Sequence, residues 1–192
     1  AQRVLILEQE IGEYDLKLRF DQILASMDSP SRTLCRERVF IHSCDYEMQL
    51  DTEQGVNHLS HVISSCKPDV VIVDPLIEFH TGDENSAQDM SRAMSGLDKL
   101  RQTLNFSTII VHHTGKPSKD NERQGPHKLR GSSVLFGKAD TLVIMTPVKR
   151  KKGYVEVDFT LRRGKPISDM ILTFNDTDLQ FHFDSWKADR SE

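Results

Sequence analysis

Val70-Val71-Ile72-Val73-Asp74 is an unbroken β-branched run that ends in a carboxylate, with Lys67-Pro68 before it and Pro75 after it. A short apolar run between breakers predicts a buried strand. Upstream, Val56, Leu59, Val62, Ile63 and Cys66 fall at helical spacing. Downstream, Ala87, Met90, Met94, Leu97 and Leu100 do the same, with Asn85 and Gln88 at the spacing of a capping box. Further out lie Thr108-Ile109-Ile110-Val111 and Leu142-Val143-Ile144-Met145 on one side. On the other lie Val39-Phe40-Ile41, a helix carrying Leu16, Phe20, Ile23, Leu24 and Met27 and ended by Ser29-Pro30-Ser31, and Val4-Leu5-Ile6-Leu7. Strands alternating with helices predict an α/β domain with a mainly parallel central sheet.

From Tyr154 the period becomes two. Val155, Val157, Phe159 and Leu161 alternate with polar residues, Met170, Leu172 and Phe174 do likewise, and Leu179, Phe181 and Phe183 follow a polar turn. This predicts an antiparallel meander over 153–184, appended to a parallel α/β part over 1–146. Residues 114–130 are polar and basic without apolar period, and a loop of that length is usually functional.

The 192 residues suffice for one domain. With 37% hydrophobic and 28% charged residues, an ordered globule is expected. A net charge of −4 means that nucleic-acid contacts must come from local basic patches. Cys35, Cys44 and Cys66 form no CxxC pair and leave one over in any disulfide scheme, which fits a reduced, cytoplasmic compartment. The apolar runs are strand-sized, far below the roughly 20 residues of a membrane span, and no signal peptide opens the chain.

A strand that delivers Asp74 to the C-terminal edge of a parallel sheet suits the acid that holds Mg²⁺ on a nucleoside triphosphate. The same five residues also read as a core strand followed by a helix-capping Asp. Asp74, His80, Asp83, His112 and His113 could instead ligate a metal pair in a hydrolase, although no HxH or HExxH spacing supports that.

The run from Asp74 through Pro75-Leu76-Ile77-Glu78-Phe79-His80-Thr81-Gly82-Asp83-Glu84-Asn85 resembles the segment after Walker B in RecA-like hexameric helicases of the plasmid replication kind. The resemblance continues in Ile109-Ile110-Val111-His112-His113-Thr114-Gly115-Lys116, in Leu129-Arg130-Gly131-Ser132-Ser133 and in Gly137-Lys138-Ala139-Asp140-Thr141, and covers most of the chain in register. It implies a three-layer αβα RecA-like ATPase domain over 1–192, with ATP and Mg²⁺ as ligands. Single-stranded DNA and a homo-oligomeric ring, a hexamer, are the implied partners. Val4-Leu5-Ile6-Leu7-Glu8-Gln9-Glu10-Ile11 is similar to the helicase strand that ends in the catalytic glutamate, which puts the general base on Glu10. Glu8 is the rival, and a solvated acidic helix start is the plain reading of both.

In such proteins His112 or His113 would sense the γ-phosphate. The loop holding Lys116, Lys119, Arg123, Lys128 and Arg130 would grip DNA phosphates, unless it is an ordinary solvated loop. Leu161-Arg162-Arg163-Gly164-Lys165-Pro166-Ile167 resembles the hairpin of DnaB-type helicases that reaches the neighbouring subunit's ATP. That puts the finger arginine on Arg163. The family's lysine position falls on Leu161, so Arg162 or Lys165 would serve in its place; a basic surface turn is the competing reading. Lys149-Arg150-Lys151-Lys152 reads as a solvated strand connection.

No G-x-x-x-x-G-K-[ST] is present. The nearest string, Gly131 to Ala139, has five residues between its glycines and Ala139 where the hydroxyl should be. The resemblance places the P-loop strand just upstream of Ala1-Gln2-Arg3 and inside the sheet, between the strands at 108–113 and 141–146. The expectation is therefore a longer natural protein carrying that strand, or else a degenerate scaffold that binds DNA or a partner without hydrolysis.

Overall fold

The computed structural model describes residues 1–43, 45–113 and 133–187. Strand β1 (Val4–Glu8) leads into helix α1 (Glu13–Ala25), helix α2 (Ser29–Arg38) and strand β2 (Val39–Ser43). Helix α3 (Glu53–Cys66), strand β3 (Val70–Asp74), a 3-10 turn at Leu76–Phe79, helix α4 (Ala87–Leu104) and strand β4 (Ser107–Ile110) complete the first half. Helix α5 (Ser133–Lys138) then precedes β5 (Thr141–Pro147), β6 (Tyr154–Leu161), β7 (Met170–Asn175) and β8 (Gln180–Trp186).

The first four strands form a parallel sheet in the order β2-β1-β3-β4, and the last four form an antiparallel sheet in sequence order. Leu5 and Leu7 stand beside Val71 and Val73 in register, and all four are buried against α3 and α4. Burial of each such side chain stabilises the fold by about 1.5–3 kcal/mol. The opposite face carries Ile41, Ile6, Ile72 and Ile109 in one cross-strand row, with Ile41 and Ile109 exposed.

Two close approaches fix the connection after β2. A Cβ added at Gly55 of α3 would lie 2.1 Å from the Gln49 carbonyl oxygen, and one at Gly96 of α4 would lie 2.0 Å from that of Leu50. Only hydrogen fits there. Met48 and Leu50 are buried in the same connection, which is therefore wedged between the two helices.

Three expectations change. Pro30 does not end helical structure. It sits in the first turn of α2, where its missing N–H costs nothing, and the Asp28 carboxylate caps that turn by accepting from the Ser31 amide at 2.7 Å. Helix α2 buries no residue, so no apolar period announced it. The α4 cap is one residue later than expected: Ser86 accepts from the Asp89 amide at 3.2 Å. The strand at 142–145, placed in the parallel part, instead opens the antiparallel sheet. A tight turn at 148–153, with Arg150 and Gly153 at positive φ, folds β6 back onto β5 from Thr141↔Leu161 to Pro147↔Val155. In that turn Lys151 Nζ lies 3.4 Å from the centre of the Tyr154 ring. β4 and β5 do not pair with each other.

Candidate active site

The C-terminal ends of β1 and β3 meet in register, Glu8 beside Asp74. The pairing continues one step, with the Gln9 amide donating to the Asp74 carbonyl at 3.1 Å. Beyond β4, Val111 still donates to Val73 at 2.9 Å, which carries His112 and His113 to the same edge. Three chain segments therefore deliver polar side chains to one rim.

The two glutamates of β1 differ sharply. Glu8 is 2% exposed, and its Oε1 accepts from the backbone amides of Glu10 (2.7 Å) and Ile11. Its Oε2 is buried without a hydrogen-bond partner among the described residues. Glu10 is exposed. Glu8 thus braces the bend that presents Glu10. Alternation along the strand could not separate the two, because an unbroken strand would point both to the same side.

Asp74 is half-buried. Burial first, and then the charges of Glu8 and Glu10, raise its carboxyl above the usual aspartate range, while His113 pulls the other way. Asp74 therefore feels both glutamates and one imidazole, and the residue of the histidine pair that acts on it is His113. His112 is half-buried at the strand end. A cation at this rim would relieve the repulsion among three carboxylates, and Asp74 and Glu10 are the acids reachable from solvent. The rim therefore fits Mg²⁺ chemistry by charge.

The alternative metal pair does not assemble. His80 is held against the Gly82 carbonyl at 3.1 Å, and Asp83 accepts from the Asn85 amide at 2.8 Å in the turn before α4. Among the described residues, Asp74, His80, Asp83, His112 and His113 supply no three ligand atoms close enough to share an ion. The set that does so is His42, Asp45 and His58, which sequence spacing had not suggested. Its one signal is a histidine near the end of β2, three residues before an aspartate.

Arg162 is tied down, donating from its amide to the Asp140 carbonyl at 2.9 Å and from its guanidinium to the Gly137 carbonyl. Arg163 and Lys165 are exposed in the β6–β7 turn, where Gly164 takes a positive φ of 99°, and neither bonds to a described residue. Lys116, Lys119, Arg123, Lys128 and Arg130 lie outside the described residues. A cleft between α3 and α4 lined by Thr52, Val56, Arg92 and Lys99 shares no residue with the rim. No helix among the described residues is long and apolar enough to cross a membrane.

Comparison with solved structures places the whole architecture. A solved chain described as an ATPase domain superposes with a TM-score of 0.69 over 96% of this chain and 75% of its own, at 16% identity. That identity establishes shared fold and no more. No curated protein matches by sequence. The model of the AAA domain family matches residues 1–119, which span β1 through the His112–His113 rim. The chain therefore belongs to the AAA domain family, nucleotide-binding ATPases of RecA-like P-loop architecture.

Proposed function

We propose that the 192 residues form one ATPase domain of an ATP-hydrolysing, ring-forming DNA motor of the helicase type, acting in the cytoplasm. The observation that carries this reading is the in-register meeting of Glu8 and Asp74, with Glu10 and His113 within electrostatic reach of the Asp74 carboxyl. In this reading Asp74 holds Mg²⁺ on ATP, and Glu10 orients and deprotonates the attacking water. Glu8 positions Glu10 through its backbone amide, and His113 hydrogen-bonds the γ-phosphate, with His112 packing behind it. Arg163, with Arg162 or Lys165 alongside, reaches the ATP of the next subunit in a hexameric ring, where a guanidinium neutralises charge on the transferred phosphoryl group. Lys116, Lys119, Arg123, Lys128 and Arg130 grip the phosphates of single-stranded DNA.

The helicase assignment rests on the resemblance of the motifs quoted above. These 192 residues contain no G-x-x-x-x-G-K-[ST], so turnover is measured on the full gene product. Mg²⁺-dependent ATP hydrolysis stimulated by single-stranded DNA is expected, with Glu10→Gln lowering turnover by about 10²–10⁴ while nucleotide still binds. The missing string also gives substance to a second reading, a scaffold without hydrolysis. Undetectable nucleotide binding by the full gene product would favour that reading and defeat the first.

A further inference from the structure

We propose that His42, Asp45 and His58 form a binding site for a divalent transition metal ion, Zn²⁺ by preference, separate from the Asp74 rim and independent of the ATPase reading. His42 is the penultimate residue of β2, His58 lies on the second turn of α3, and Asp45 stands in the connection between them. Both imidazole Nε2 atoms point at one oxygen, Asp45 Oδ2, from 2.8 Å and 2.6 Å, and the three ligand atoms lie within 4.8 Å of one another. Zn–N and Zn–O bonds of about 2.0–2.2 Å in tetrahedral array put ligand atoms roughly 3.3 Å apart, so seating an ion lengthens the two His–Asp45 separations by roughly half an ångström. Small side-chain rotations achieve that.

The surroundings hold the donors in place. Asp45 Oδ1 accepts from the Glu47 amide at 3.1 Å, and the Asp45 carbonyl accepts from Gln9 Nε2 at 2.8 Å. Buried Met48 and Leu50 anchor the connection, and Gly55, one turn before His58, packs directly on Gln49. The three side chains are 36%, 22% and 33% exposed, so an ion can enter and a water can complete its shell. Two imidazoles and one carboxylate are the borderline donors that favour Zn²⁺, Co²⁺ or Ni²⁺ over Mg²⁺. Neither histidine bonds a described residue through Nδ1, so the outer support that raises affinity in tight sites is thin and binding is micromolar rather than nanomolar. A bound ion would lock β2 to α3 and, through Gln9, brace the backbone between Glu8 and Glu10.

The test is metal titration of chelator-stripped protein, with Zn²⁺ competed against a chromophoric chelator and Co²⁺ followed by its visible absorption. One ion per chain is expected, weakened at least about ten-fold by His42→Gln and by His58→Gln and unchanged by His61→Gln, a histidine one turn further along α3. Folding of each variant is checked by circular dichroism. Should a variant unfold, the wild-type imidazole resonances decide, and those of His42 and His58 must shift on one equivalent of Zn²⁺. Sub-stoichiometric binding, an affinity within two-fold of wild type in both folded His→Gln variants, unmoved His42 and His58 resonances, or a Co²⁺–thiolate band that survives both substitutions would each overturn the proposal.

Discussion

Two aspartates, one ending a strand of the parallel sheet and one just past another, have opposite environments. Asp74, ending β3, faces Glu8 and Glu10, and burial together with those charges pushes its carboxyl up. Asp45, just past β2, is also partly buried, which works to raise its carboxyl. Hydrogen bonds from His42, His58 and the Glu47 amide outweigh that effect and hold it at about 2. The first acid is held at a cost to stability, as expected of a group placed for a ligand. The second contributes stability and fastens a loop. Substitutions at the rim should therefore alter chemistry more than folding, and substitutions at the cluster should do the reverse.

The largest expected effects are on the chemistry of the rim, which Arg163 would reach from the β6–β7 turn of a neighbouring subunit. In the ring proposed above, Arg163→Ala should lower the rate of ATP hydrolysis by roughly 10³–10⁵ with Tm unchanged. Mixing with wild-type subunits should restore turnover at the mixed interfaces, which a purely structural role for this exposed turn would not allow. Glu10→Gln should cost about 10²–10⁴ in kcat and leave nucleotide affinity intact. If both variants turned over at the wild-type rate, the rim would lose its chemical meaning.

Effects at the cluster are smaller and thermodynamic. Asp45→Asn removes about 2 kcal/mol at pH 7, which lowers Tm by roughly 4–8 °C. Because the Asp45 carboxyl is depressed in the folded state, its contribution is present above the ordinary value of 3.8 and is lost as pH falls toward about 2. The deficit of Asp45→Asn should therefore shrink in acid. Gly96→Ala drives a Cβ into the Leu50 carbonyl that anchors the same connection. It should destabilise by about 1–3 kcal/mol, read as a lower denaturant midpoint with unchanged slope.

The smallest effect sharpens the contrast by its sign. The Asp74 carboxyl is raised in the fold, so a cost to folding sets in as pH rises through the ordinary value of 3.8 and is complete above the raised value. Asp74→Asn should therefore increase Tm at pH 7, and the gain should vanish well below the ordinary aspartate range, as thermal melts across pH would read. A fall in Tm at pH 7 would mean that the acid is structural.

Much of this was legible in the sequence. Val70 to Asp74 reads as a strand because β-branched residues pack best on a pleated sheet, here with Val71 and Val73 in the core. The meander from Tyr154 shows the period of a sheet with one face in contact. What stayed hidden lacks a period. Helix α2 buries no residue, and Pro30 mimics a stop. The change of partner at β5 depends on which strand is within reach, which the residues of 142–145 do not encode. Strand alternation gives Glu8 and Glu10 one side, and only the bend that Glu8 braces buries the first and exposes the second. His42, Asp45 and His58 come together because Gly55 and Gly96 let a connection settle between two helices, an event of packing and not of spacing.

The central claim, that Mg²⁺–nucleotide docks at the acidic rim, is read most directly by paramagnetic relaxation with Mn²⁺ in place of Mg²⁺ on the full gene product. Adding a non-hydrolysable ATP analogue to Mn²⁺-equilibrated protein should newly broaden the amide resonances of Glu10, Asp74 and His113 and spare those of β7 and β8. Nucleotide-dependent broadening centred elsewhere, with those three amides sharp, would contradict the account.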